Sequence, residues 1–197
     1  MASSQNIADV SSAKAVHAED IDIDIADFMF EHKEYHDVIF VVGKDEKNTE
    51  IISAKRYDLV DHSSVFRQLL KNVKPNTEVR ISDISPEIFT LILRHVYGGE
   101  FPSIDNTTAV ELVLAAGLYK MHTLVTRACR LIVPQSAADV FPALLCVANM
   151  SCPVLESKVS KIVQEETEDV VYSEEFMDLD AKCLEYISRQ ETLSVSE

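Results

Sequence analysis

The chain has 197 residues, an ordinary apolar content of 47% and a net charge of −15 from 33 acidic and 18 basic side chains. That length and composition support folded cores without help from metals or disulfides. The acidic balance excludes a general nucleic-acid binder, which needs cations to displace counterions from phosphates, and a protein that docks on anionic lipid.

Residues 1–18 are small and polar and are expected to be a disordered lead-in without the basic and apolar regions of a secretory signal. Ile21, Ile23 and Ile25 then alternate with aspartates at strand period, whereas Ile21, Ile25, Phe28 and Met29 share a helical stripe. The stripe predicts a helix over about 24–33, with room for a short strand before it. Val38–Val42, ending at Gly43, reads as a buried strand, Lys44–Glu50 as a turn, and Ile51-Ile52 as the start of a second strand. Ser53 is expected to cap a short helix carrying Leu59 and Val60, and Ser63 or Ser64 one carrying Val65, Phe66, Leu69 and Leu70. Glu78–Ile81 predicts a third strand.

The next helix is the best punctuated. Ser85 is a good N-cap, Pro86 fits the first helical position, Phe89, Ile92, Leu93 and Val96 form the stripe, and Gly98-Gly99 supplies the stop. Thr107 or Thr108 is expected to open another helix, with Val110, Val113, Leu114, Gly117 and Leu118 on one face. A further one runs from about 123 to 132, before Pro134. Beyond that point the period is helical only: 138–150, with Asp139 as N-cap and Pro142 in its first turn, then 153–166, then about 180–189. The stretch 165–180 is dense in carboxylates and reads as a solvated face.

The chemistry-bearing residues make no site. Cys129, Cys146, Cys152 and Cys183 include no pair at zinc-ligand spacing and are expected to be buried free thiols. The four glycines form no phosphate-binding loop, and the six histidines stand at no recognisable spacing from a serine or cysteine. Asp61-His62-Ser63-Ser64 is not a triad, because neighbours in a helix point in different directions. The acidic run lacks the glycine-centred loop of an EF-hand. No enzyme, metal or cofactor is expected.

Four blocks carry a resemblance: H-D-V-I-F-V-V-G (36–43), I-I-S-A-K-R-Y-D-L-V-D-H-S-S-V-F-R-Q-L-L (51–70), V-R-I-S-D-I-S-P-E-I-F-T-L-I-L-R-H-V-Y-G-G-E (79–100) and A-V-E-L-V-L-A-A-G-L-Y-K-M (109–121). In this order and spacing they resemble a BTB/POZ domain over residues 19–133. The region 134–197 resembles the start of a BACK domain, with E-E-F-M-D-L-D-A-K-C-L-E-Y-I-S-R-Q-E-T-L-S-V-S-E (174–197) matching its pattern of acidic turn, helix and L-x-V-x-E. A BACK domain normally extends further, so the resemblance implies a continuation after Glu197. The implied fold class is α+β: a small sheet flanked by helices, then an all-helical segment.

The resemblance implies a homodimer formed through the N-terminal helix, with Ile21, Ile23, Ile25, Phe28 and Met29 at the interface. It implies a charged groove at Asp37, Lys55 and Arg56, where Lys55 replaces the family's usual histidine and Asp37–Arg56 reads most simply as an ion pair. It implies a substrate adaptor for a cullin-3-type ubiquitin ligase, with an unknown substrate protein as third partner and a cytoplasmic or nuclear location. Cullin-contacting candidates are Phe66, Leu69, Thr108, Ala109, Tyr119, Met121 and Leu124. The family's hydrophobic-x-acidic motif would fall at Thr108-Ala109-Val110, which has no acid, or, one residue on, at Ala109-Val110-Glu111, which has only a small apolar group. The competing readings are a BTB dimerisation scaffold without ligase work and a potassium-channel tetramerisation domain; the N-terminal helix and the BACK-like tail argue against the latter.

Overall fold

The computed structural model describes residues 24–75 and 77–190. The expected lead-in, Ile21, Ile23 and residues 191–197 lie outside them.

Five β-branched and aromatic residues make strand β1 (Val38–Val42), and alternate ones, Val38, Phe40 and Val42, are fully buried. Strand β2 (Glu50–Ala54) pairs with it antiparallel and β3 (Glu78–Ile81) parallel, giving the order β2-β1-β3. The chain turns at Gly43, whose φ is +155° and where a Cβ would overlap the Asn48 carbonyl oxygen, so only glycine fits. A parallel pair needs a long crossover, and helices α2 (Arg56–His62) and α3 (Ser64–Leu69) lie within it. Ser63 caps α3 as expected, accepting from the Phe66 N–H at 3.1 Å. Ser53 does not cap α2. It belongs to β2, with its hydroxyl 2.8 Å from His36 Nδ1, and the α2 N–H of Arg56 finds the Asp37 carboxylate instead.

Helix α1 (Ile25–Glu31) matches the expected position, and a 3-10 turn follows at Lys33–Tyr35. Helix α4 (Pro86–Val96) has the expected Ser85 cap, 3.3 Å from the Ile88 N–H, and Gly98 after it at φ +78°. It buries Phe89 against Phe40, ring centroids 4.9 Å apart, with Phe66 at 6.1 Å from Phe40 as the third ring. Helix α5 (Asn106–Leu118) opens earlier than expected. Asp105, not a threonine, is its cap and accepts from the Thr108 N–H at 2.7 Å. Helix α6 (His122–Cys129) packs beside it.

The second half is helical only: α7 (Ala137–Asn149), α8 (Pro153–Glu165), α9 (Thr167–Val171), α10 (Glu174–Met177) and α11 (Ala181–Ser188). Asp139 is not the cap of α7. The helix begins before it, and the Ala137 N–H is held by the Glu166 carboxylate at 2.8 Å. Pro142 therefore lies inside α7; it and Ala138 are both exposed, so the carbonyl freed by the missing N–H faces water. The carboxylate-dense stretch is folded into α9 and α10, pinned by buried Thr167 donating to the Val163 carbonyl at 2.7 Å. Cys146 and Cys183 are buried free thiols, but Cys129 and Cys152 are joined in a disulfide, because the end of α6 meets the start of α8. The fold is α+β.

Candidate functional site

Among the described residues, helix α1 and the side of α5 are two places where large apolar side chains stand exposed. The first is α1. Its inner face is fixed by Ala26, fully buried against Gly99, where a Cβ would overlap both Ala26 and Asp24. Arg94 donates to Asp24 at 3.0 Å and also to Asp27, and Asp24 caps the helix by accepting from the Ala26 N–H at 2.8 Å. Desolvation opposes the Asp24 charge, but the Ala26 and Glu100 N–H groups and the Arg94 guanidinium outweigh it and hold the carboxyl below its ordinary range. With that face anchored, the other shows Ile25 at 64% exposure and Phe28 at 38%. Phe28 stacks on His32 at 4.1 Å and faces Tyr35 at 6.3 Å. Met29, expected at the same interface, turns towards the core, and its carbonyl binds His36 Nε2 at 2.9 Å.

The second surface is a cleft of about 340 Å³ beside α5, lined by Lys44, Asp83, Ile88, Glu111, Leu114 and Leu118. It continues, through Asp83 and Leu118, into a groove reaching Val65 and Leu69 of α3. Leu118 is 54% exposed and Leu69 40%. Behind them Phe66 stacks on Tyr119 at 4.5 Å. The Tyr119 hydroxyl donates to Asp83 at 2.9 Å, and the Ser63 hydroxyl donates to the Tyr119 carbonyl at 2.6 Å. Burial, reinforced by Asp83, raises the Tyr119 hydroxyl far above its ordinary pKa, so it remains a donor at neutral pH.

Most of the cullin-contacting candidates are buried. Phe66, Ala109, Met121 and Leu124 are core residues, and Tyr119, though 3% exposed, lines the groove wall beside Leu118. Leu69 stands on the surface, and Thr108 is half-buried at the start of α5. Leu118, Leu114 and Asp83 were absent from the sequence-based candidates. Helix α5 buries residues nearly all round, from Ala109 and Val110 to Ala115 and Ala116, so its pattern carries no phase to mark Leu118 as outward.

The charged constellation is also rearranged. Asp37 and Arg56 form no ion pair. The Asp37 carboxylate accepts the Arg56 backbone N–H at 2.7 Å, and the Arg56 guanidinium reaches the Leu70 carbonyl at 2.9 Å. The Lys55 N–H donates to the Tyr97 hydroxyl at 3.3 Å. These bonds tie the start of α2 to the residue before β1, the end of α3 and the end of α4, and Arg56 Nη2 is buried without a partner. Likewise Ser63 of the Asp61-His62-Ser63-Ser64 run is buried in structural bonds, while the exposed His62 contacts the Asp58 carbonyl.

The family model described as BTB/POZ domain matches residues 27–136. The chain belongs to the BTB/POZ family. The matched BTB region runs from within α1, two residues after Ile25, to the residue before α7. Curated relatives include human BTB/POZ domain-containing protein 3, 29% identical over 175 residues that cover 86% of this chain and 33% of that protein. The zebrafish (Danio rerio) BTB/POZ domain-containing protein 6-B is 26% identical over 172 residues, covering 86% of this chain and 35% of its own. The chain thus spans about a third of the length of these relatives. Among solved structures, the BTB domain of human gigaxonin aligns at 20% identity with a TM-score of 0.44, over 67% of this chain and all of that one. The BTB domain of zebrafish PATZ1 aligns at 22% identity with a TM-score of 0.43, over 53% of this chain and 80% of that one. As a BTB chain it is a protein–protein interaction module.

Proposed function

We propose that the chain is a homodimeric adaptor that docks a cullin-3-type ligase scaffold in the Leu69–Leu118 groove, with α7–α11 as the beginning of a BACK region. The observation that carries the reading is the pair of leucines on facing elements, α3 and α5, left open beside a polar rim of Lys44, Arg80, Asp83 and Glu111. An apolar centre with a charged rim is the anatomy of a docking surface. Helix α7 packs against α5, and α8 packs against α7. Ile25, Phe28 and Tyr35 supply a second, separate apolar face suited to a two-fold contact between copies. The substrate protein is recruited by parts of the assembly outside this chain, in the cytoplasm or nucleus.

Calorimetric titration with a purified cullin N-terminal domain tests this. Binding is expected with a Kd of micromolar or tighter, and Leu118→Asp is expected to weaken it at least ~10-fold, the loss of one central anchor. Light scattering is expected to show a dimer for both proteins and a monomer for the Ile25→Asp/Phe28→Asp variant. A dimer that gives no heat with the cullin domain at tens of micromolar, on the order of 10 μM or above, overturns the adaptor reading in favour of a dimerisation scaffold. The absent hydrophobic-x-acidic motif at Thr108-Ala109-Val110 is what favours that second reading.

A further inference from the structure

A covalent bond ties the two halves of the molecule. Cys129 is the last residue of α6, and Cys152 is the residue before α8; their Cα atoms are 6.5 Å apart, with 23 residues of sequence separation. The loop they close contains Pro134 and all of α7. Both sulfurs lie in the core, since Cys129 and Cys152 are each buried.

The other ties across this junction are noncovalent and independent of the sulfurs. The Asn106 amide grips Val133 through both backbone groups, donating to its carbonyl at 3.1 Å and accepting its N–H at 3.0 Å. Lys158 Nζ of α8 donates to the Ile132 carbonyl at 3.0 Å. Met150 packs so closely on α5 that a Cβ at Gly117 would lie 2.7 Å from its sulfur. These contacts hold the junction without using either sulfur. The bond therefore adds stiffness to a junction that is already assembled.

The other two cysteines are free thiols. Burial pushes the Cys146 thiol up to about 12 and the Cys183 thiol up to about 11, so both stay protonated and poorly nucleophilic at neutral pH. Cys152, itself buried, sits in the short segment between α7 and α8, next to exposed Ser151.

We propose that Cys129–Cys152 is a reversible redox staple, closed by a hydroperoxide and opened by a dithiol reductant, whose state sets how firmly α7 and α8 are held on α5 and α6. In closure the Cys152 thiolate attacks a peroxide oxygen, the O–O bond breaks, and a sulfenic acid forms with release of water from hydrogen peroxide. The Cys129 thiolate then attacks the sulfenic sulfur, the S–S bond forms, and a second water leaves. The two thiols together give up two electrons and two protons, and the peroxide takes up both. Opening runs by two thiol–disulfide exchanges, in which the reductant becomes the disulfide. Closure restricts the unfolded chain across the loop containing α7, so the closed form resists opening of the tail. The staple rests on the junction alone and stands whether or not a cullin occupies the groove.

The test compares the full chain after hydrogen peroxide with the same chain after dithiothreitol. Peptide mapping without reductant is expected to find a Cys129–Cys152 linked pair, lighter by two hydrogens, with Cys146 and Cys183 still open to alkylation once the protein is unfolded. The oxidised form is expected to melt roughly 5–10 °C higher. Its amides in α7 and α8 are expected to exchange at least ~10-fold more slowly than in the reduced form. Cys129→Ser is expected to behave as the reduced chain under both conditions. If that variant does not fold, the peroxide and dithiothreitol comparison on the unaltered chain decides. The proposal is overturned if the peroxide-treated pair remains fully alkylatable, if another pair forms instead, or if the link forms and neither melting nor exchange in α7 and α8 changes.

Discussion

The sheet-containing half and the helical tail solve the burial problem differently. From α1 to α6 the chain packs helices onto a three-stranded sheet, and large rings fill the space: Phe40, Phe66 and Phe89 are fully buried at mutual distances of 4.9 to 6.2 Å. From α7 to α11 there is no strand among the described residues, and the interior is made of Ala143, Leu144, Cys146, Leu155, Val159 and Val163. The tail also leaves Tyr172 and Met177 more than four-fifths exposed, at 83% and 82%. A sheet offers a broad flat face that aromatic rings fill well, whereas closely crossing helices favour small and branched side chains. The sheet half is therefore the rigid platform that positions both candidate surfaces, and the tail is an attachment to it.

Removing a ring from the platform tests this most severely. Phe40→Ala is expected to destabilise the chain by about 3–5 kcal/mol in chemical denaturation. Leu155→Ala in the tail is expected to lose about 2–4 kcal/mol and, with the staple open, to melt the tail before the sheet half. Equal losses within a single shared transition would break the contrast between the halves. Gly99→Val comes next, because its side chain would displace Ala26 and Asp24 and lift α1. A loss of about 1–3 kcal/mol is expected, together with a monomer in light scattering.

The halves also differ in their response to acid. Every histidine lies before Pro134, and the tail has none. His95 in α4 is held down to about 4 by burial and by the nearby Arg127 and His62 charges. His36 is lowered by burial, with Lys33 adding to it. A histidine with a depressed pKa binds fewer protons folded than unfolded, so its contribution is fully present above the ordinary value near 6.5. It is lost as the pH falls towards about 4. Stability of the sheet half is expected to decline across that window, and His95→Gln to flatten the decline. A tail that declines in parallel, followed by exchange at separate amides, would break the comparison. The smallest effect is expected at Tyr172→Ser, within about 0.5 kcal/mol, since the ring is almost wholly in solvent.

Strand β1 and helix α4 were legible because their signals are local. Five apolar residues before a glycine, or a serine-proline start and a double-glycine stop, need no knowledge of neighbours. The α2 cap was not legible, because its acceptor, Asp37, comes from 19 residues upstream. The Cys129–Cys152 bond was missed for the same reason: neither cysteine has a local pattern, and only the meeting of α6 with α8 brings them together. Of the residues expected at a dimer interface, Ile25 and Phe28 stand exposed, since the opposite face of α1 is anchored. Of the expected residues, Leu69 and Tyr119 line the groove. Phe66 is apolar because it is core, and apolarity alone does not say which side of a wall a residue occupies.

The sequence by itself determined the order of the strands and of the longer helices, though not α9 and α10, and membership of the BTB/POZ family, because these follow from periodicity, caps and block spacing along the chain. Tertiary structure alone decided that Leu118 faces out while Tyr119 faces in, that Asp37 serves a backbone N–H in place of the Arg56 charge, and that two distant thiols meet. Each of those outcomes depends on which elements pack together in space. Packing is set by the summed burial of many side chains, and no single segment carries that sum.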